Sequence, residues 1–408
     1  PRIFSQLTQP PEHAEAPEDV AEAAKEAAEA RAKGLFTATV FGVERALPPQ
    51  MTKLWLDSMV LKRGGTGMAT AADSAALRVA LPALVARLIG AEPNGGAGAR
   101  PGPTQCHDIT VYPALGLAGG ACEGYGLLLD IRNPANPVRI DAVADSNFSY
   151  WHSATFNNDG TQVLFSDEWG GGGQPKCRAT DKKEWGADAI FTIVAGRMQF
   201  QSYYKLPAAQ ANNEVCVAHN GSLIPIPGRD VMVQSWYEGG ISIFDWTDPK
   251  DVREIAFWDR GPSSATELAG AGTWSVYWYN GVMVSSEISR GLDILELTAS
   301  AHLSQNEIDA ARTVRFDHLN AQGQPKLRWP PSFALARAYV DQLERSRGLS
   351  DGRIKEVRSI LRATEGATGG ARTNPLGLLG AQLSTEATNS PDAAKARLLA
   401  NTVTELAR

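Results

Sequence analysis

The sequence predicts a mainly β fold, a β-propeller of about four recognisable blades followed by a C-terminal α-helical bundle. Three observations carry this. A strand–turn–strand pattern recurs four times between residues 104 and 298. The recurrences open about 45 to 67 residues apart, a period that means propeller blades or solenoid repeats. From Leu303 onward the pattern changes to apolar residues at helical spacing. The expected organisation is a leader over 1–103, partly helical or disordered, a propeller over 104–298 and a helical domain over 303–408.

The leader has two parts. Pro17–Lys33 is rich in Ala and Glu with Glu/Lys pairing and almost no apolar stripe, which predicts a solvated helix or a disordered arm. Met51–Leu61 and Ser74–Ile89 read as short helices, the second interrupted by Pro82, with Gly-rich stretches at Arg63–Gly67 and Asn94–Gly102. This region is expected to be a poorly ordered leader or a small helical cap.

The clearest repeat is Tyr150–Gly173. Its extended run HSATF meets the turn Asn157-Asn158-Asp159-Gly160, whose residues tolerate positive φ, and TQVLFSDE returns as the second strand. Equivalent segments are Cys106–Ile131, Ala218–Trp246 and Thr273–Leu297, opening on His107, His219 and Trp274 where Tyr150–Gly173 offers His152. β-rich apolar runs follow at Leu127–Ile131, Val163–Phe165, Ala189–Val194, Val231–Val233, Ile241–Phe244, Val282–Val284 and Leu292–Leu297. Arg139–Val143 and Glu254–Trp258 read as outer fourth strands, and Gly170–Gly186 as an insertion on one face. Beyond the propeller, Ser304-Gln305-Asn306-Glu307 is a capping box, and 332–347, 351–362 and 392–406 have helical periodicity. A Gly-rich break falls at Gly366–Gly370, and the bundle reads as a docking or spacer module.

The phrases GLLLDIRNPANPVRI and GGISIFDWTDPKDVREI, an apolar strand ending in Asp followed by a Pro-containing turn, resemble the signature of the LVIVD-repeat proteins. With CHDI, YWHSATFNNDG, DEWGGG, CVAHNGSLIP and WYNG, the chain is similar to bacterial, surface-exposed or secreted members of that family over about 104–298 and into the helical tail. The resemblance implies a β-propeller without an established activity. Members carry further blades ahead of the CHDI segment, and residues 1–103 show none.

Composition bounds the partners. The net charge of −6 and the isoelectric point near 5.6 lack the clustered basic excess that nucleic acid or an anionic membrane would require. No apolar run approaches 18 residues, so no membrane span is expected. The chain opens at Pro1, and an upstream segment, including any signal peptide, is expected to be missing from view. Four cysteines suggest two disulfides, Cys106 with Cys122 and Cys177 with Cys216, and an extracytoplasmic location, whether secreted, periplasmic or at the cell surface. Four reduced, buried thiols are the other possibility, because spacing does not fix pairing.

His107, His152 and His219 hold equivalent repeat positions, so propeller symmetry should point them at one channel. Converging neutral imidazoles suit a transition metal such as Cu, Zn or Fe. At the level of fold alone, copper-dependent propellers such as methanethiol oxidase, of the selenium-binding protein family, are similar in using channel histidines. The plainer assignment is that each imidazole ties neighbouring blades together through backbone or carboxylate. Asp167, Glu168 and Glu287 end second strands and form candidate rim carboxylates, able to bind a cation or simply to accept backbone N–H groups. Trp236, Tyr237 and Trp274 are candidate binding-face aromatics, with core packing as the alternative. No G-x-S-x-G, Walker, Rossmann or H-E-x-x-H pattern is present. The leading expectation is a non-catalytic extracytoplasmic scaffold that binds a protein or glycan on its loop-bearing face. The alternative is a metal-dependent oxidoreductase or hydrolase using the channel histidines.

Overall fold

Alanines decide the first helix. In α1 (Pro17–Ala32), Pro17 occupies the first turn, where its missing N–H is harmless, and Ala23, Ala27 and Ala30 form a narrow buried stripe. The segment is therefore a packed helix, with small side chains in place of a conventional apolar stripe. Strands β1 (Thr37–Val40) and β2 (Val43–Ala46) pair antiparallel, a pairing without a strong sequence signal. Helices α2 (Pro49–Lys62) and α3 (Ala71–Leu88) follow, and α3 runs through Pro82 without interruption. Phe36, Leu77 and Leu81 form the core of this compact unit, which covers residues 14–100. The structure, a computed structural model, describes residues 2–11, 13, 15–40, 42–88 and 102–408, so Ile89 and most of the Gly-rich stretch to Gly102 lie outside the described residues.

Residues 1–13 and 101–408 form the second compact unit. Blade 1 is β3 (Asp108–Tyr112), β4 (Leu117–Cys122), β5 (Tyr125–Asp130) and β6 (Val138–Val143). Blade 2 is β7 (Trp151–Phe156), β8 (Gln162–Asp167), β9 (Asp188–Val194) and β10 (Arg197–Tyr204), with the single turn α4 (Trp169–Gly172) between β8 and β9. Blade 3 is β11 (Gly221–Ile224), β12 (Val231–Ser235), β13 (Ile241–Asp245) and β14 (Arg253–Trp258). Blade 4 has three strands, β15 (Thr273–Tyr279), β16 (Val282–Glu287) and β17 (Gly291–Leu295). Every pairing is antiparallel, and β3, β7, β11 and β15 are the inner strands. Among the described residues the chain forms a four-bladed β-propeller.

The template hairpin forms as its turn chemistry requires. Gly160 adopts φ of 68°, its N–H meets the Asn157 carbonyl, and Asn157 Oδ1 accepts from the N–H groups of Thr161 and Gln162. Two disulfides are present, Cys106–Cys122 and Cys177–Cys216. The first residues of the chain also belong here: Ile3, Phe4 and Leu7 pack against blade 1, and Arg139 donates to the carbonyls of Ile3 and Ser5.

What joins the last blade to the first is the segment after the propeller. Asn280 exchanges hydrogen bonds with the backbone of Phe316, Val111 exchanges them with Gln322 and Gln324, and the Gln324 amide pairs with the backbone of Phe156. Helix α5 (Gln305–Ala311) opens with the expected capping box between Ser304 and Glu307. Then come α6 (Phe333–Arg345), α7 (Asp351–Glu365), α8 (Gly370–Glu386) and α9 (Ala393–Leu406). Helix α8 contains Pro375 and three glycines, composition that reads as a break rather than a helix. Leu303, Ile308, Val314 and Leu327 share one core with Val233, Trp236 and Phe244 of blade 3, so the tail packs on the propeller.

Candidate functional site

The hairpin register of blade 2 breaks between Trp151 and Ala154, and that of blade 4 breaks between Thr273 and Ser275. Bulges re-aim side chains. Here they fall on His152 and Trp274, the equivalent opening positions, while His107 and His219 sit just ahead of β3 and β11. The outcome is a row of rings across the blades. The ring centroids of His107 and His152 are 4.1 Å apart, as are those of His152 and His219, and His219 lies 4.9 Å from Trp274. The three histidine rings thus lie side by side across neighbouring blades.

Glu168 closes the row from below. Its Oε2 is 3.6 Å from His152 Nε2, and its Oε1 is 3.6 Å from His219 Nε2. Glu168 reaches this position because the chain turns sharply after β8. Gly170, Gly171 and Gly172 all have left-handed φ, near 68°, 66° and 70°. A Cβ on Gly172 would overlap Tyr237 Oη and lie 2.7 Å from Glu168 Oε1. Tyr237, itself left-handed with φ of 54°, donates its hydroxyl to Glu168 Oε1.

The electrostatics set the protonation states. Burial, reinforced by the adjoining imidazoles, pushes His152 far down, to about 2. Burial also lowers His219 to about 4, and raises Glu168 above the ordinary carboxylate range. His107 is raised, first by its contact with Asp108, whose Oδ1 is 3.5 Å from His107 Nδ1. His219 Nδ1 faces the Trp274 carbonyl, which only accepts, so Nδ1 carries the proton and Nε2 offers a lone pair toward Glu168. Two acceptors facing each other across a buried gap require a cation between them, whether a proton or a metal ion. Among the described residues, His152 Nδ1 and His219 Nε2 are buried without a hydrogen-bond partner.

The donor set fits a metal. Among the described residues, the ligand atoms of His107, His152 and Glu168 lie within 4.8 Å of one another. Two imidazoles and a carboxylate suit zinc or non-haem iron. The Asp108 contact of His107 and the Tyr237 bond to Glu168 are of the kind that orients ligands in metal sites. His107 is 40% exposed, so the cluster has an open side.

The other candidates separate. Asp167 is fully buried and accepts from the N–H groups of Ser149, Tyr150 and Gly186, while burial raises it to about 8. Glu287 accepts from Gly272 N–H and the Ser289 hydroxyl. Each holds together the loops of its own blade. Trp236 and Tyr237 are corrections to the expected binding face: each is buried, Trp236 in the blade 3 core and Tyr237 beneath Glu168, because the bend after β12 turns both inward. Trp274 is 47% exposed at the end of the ring row. Tyr150, which stacks edge-on against His107, escaped the sequence reading although it adjoins the YWH phrase.

No family model matches the chain, and no curated protein matches it. Solved structures resemble it over about half its length. A protein from Lactobacillus plantarum is 14% identical over 51% of this chain and 57% of its own, with a TM-score of 0.37. The computationally designed Ika4 protein is 9% identical over 49% of this chain and 94% of its own, with a TM-score of 0.30. The β-propeller domain of Cps50 (Swd1) from Myceliophteria thermophila is 8% identical over 48% and 54%, with a TM-score of 0.33. The match thus spans just over half the length of the Lactobacillus plantarum protein. Among the described residues, no helix is long and apolar enough to cross a membrane.

Proposed function

We propose that the chain is a metal-dependent enzyme of the oxidoreductase or hydrolase type, with Cu, Zn or Fe held by His107, His152 and Glu168. The observation that carries this is the convergence of those three ligand atoms within 4.8 Å, two of the residues buried. His219 braces the set through Glu168, and the exposed flank of His107 leaves a side open, as a catalytic rather than a structural metal requires. His152 and His219, lowered by burial, are neutral near pH 7 and keep their lone pairs for a metal. The two disulfides favour an oxidising, extracytoplasmic compartment. In the hairpins β5–β6 and β13–β14 an apolar strand ending in Asp130 or Asp245 runs into a Pro-containing turn, which supports reading the blades as LVIVD-type repeats.

The test is metal analysis of the purified full chain, as isolated and after loading with Cu, Zn or Fe. About one equivalent per chain is expected, with loss in His152→Ala. Failure to retain any of the three metals would sink the proposal and return the histidines to the role of blade ties. The function would then be the scaffold reading, for which exposed Trp274 beside His219 is the one supporting observation, with a protein or glycan as ligand.

A further inference from the structure

Beneath the histidine row the inner strands repeat a second time. The residues one and three positions past His107 are Asp108 and Thr110, three past His152 is Thr155, and one past His219 is Asn220. These four side chains line a cavity of about 50 Å³ in the channel, walled on another side by Trp278 and Phe316 and floored by the closing segment. At about 10–15 Å³ per water-sized sphere, the cavity admits a molecule of about three to five non-hydrogen atoms.

Thr110 and Thr155 are more than nine-tenths buried, yet neither hydroxyl has a protein partner among the described residues. A hydroxyl that lines a cavity without a protein partner takes its hydrogen bonds from whatever occupies that cavity. The polar wall holds one group that only accepts when ionised, the Asp108 carboxylate, among hydroxyls and amides that can turn an acceptor to an occupant, Thr110, Thr155 and Asn220 among them. No Lys, Arg or His is among the described residues lining the cavity, so nothing in its wall attracts an anion; the Asp108 carboxylate is met from outside that wall by His107, 3.5 Å away. The Trp278 and Phe316 rings, 6.0 Å apart and edge-on, supply aromatic surface suited to a cation.

We propose that this cavity binds a primary ammonium group, as a small alkylamine or the ammonium ion itself. Three N–H donors meet Asp108 and the threonine hydroxyls, with the alkyl end against Trp278 and Phe316. The assignment stands on the cavity, and because Asp108 also contacts His107 it is tested with the histidine cluster both stripped of metal and loaded.

Calorimetric titration of the full chain, run both after chelation and after metal loading, would use ethylammonium chloride, ammonium chloride, ethanol and sodium acetate at matched ionic strength. Ethylammonium should bind, and acetate and ethanol should not. Ammonium chloride binding as well as ethylammonium would assign the inorganic ion within the same chemistry. The Thr110→Val/Thr155→Val variant, nearly isosteric, should bind ethylammonium at least about tenfold more weakly, and Asp108→Asn should abolish binding. Wild-type protein that takes ethanol as readily as ethylammonium, or takes neither, overturns the proposal, the latter leaving water as the occupant. Because the wild-type arms decide by themselves, a variant that fails to fold does not protect the idea.

Discussion

His219 is held by Trp274 on one nitrogen and faces Glu168 with the other, and it shows how a single imidazole is prepared before any ligand arrives. Its lowered pKa and that of His152 carry a stability consequence in the metal-free protein. An unfolded imidazole takes a proton near 6.5, whereas the folded ones do so only near 4 and near 2. Between those values the unfolded state binds more protons, so stability is fully present above pH 6.5 and is lost as the pH falls through the window. The loss expected at pH 5 is about 2 kcal/mol per imidazole, trimmed because the raised Glu168 acts in the opposite sense. Urea midpoints of the chelated protein from pH 7.5 to 4.5 measure it, and His152→Phe should flatten the slope. Tyr237 is a positioning residue at the same scale. Tyr237→Phe should leave the circular dichroism unchanged while weakening metal affinity about 10–100-fold in a chelator competition, since it removes only the hydroxyl that orients Glu168.

At the scale of elements, the helical tail is fastened by one buried cluster. Glu307 on α5 accepts from Arg229 beside β12 at 2.9 Å, from Arg345 on α6 at 2.6 Å and from Gln342 at 2.9 Å, and Arg229 also pairs with Asp245 on β13. Glu307→Ala strands the buried Arg229 charge with one partner, and a loss of about 3 kcal/mol in urea unfolding is expected. An unchanged midpoint would mean that apolar packing alone docks the tail. The disulfide Cys177–Cys216, 39 residues apart, closes the longer loop. On the chain-entropy model its removal in Cys177→Ser/Cys216→Ser should lower stability by about 4 kcal/mol, against about 3 kcal/mol for Cys106–Cys122.

For the whole molecule, ring closure depends on residues outside the blades. A chain ending at Ala301 loses the closing segment and exposes the core surface that Leu303, Ile308, Val314 and Leu327 cover. It should partition to the insoluble fraction or melt well below the full chain. Equal solubility and melting would show that the blades close by themselves. The strands at 127–131, 163–165, 231–233 and 241–244 were legible because short, nearly continuous apolar runs sit between turn residues. The capping box of α5 was legible because it is a local hydrogen-bond pattern. Strand β10 and helix α8 were not, the first because its polar alternation lies at a blade edge, the second because Pro375 and its glycines lower helix propensity that tertiary packing restores.

Sequence alone indicated about four blades, the helical tail and the equivalence of His107, His152 and His219, because each follows from local periodicity or from repeat register, and it suggested the two cysteine pairs without fixing them. It also nominated Glu168, but as a rim acid paired in pattern with Glu287. Only the tertiary structure decided between them. Three left-handed glycines and a strained Tyr237 turn Glu168 inward to the imidazoles, whereas Glu287 turns back on its own hairpin. Backbone handedness at a loop, and what the loop then meets from another blade, is a long-range property that no local pattern of residues encodes.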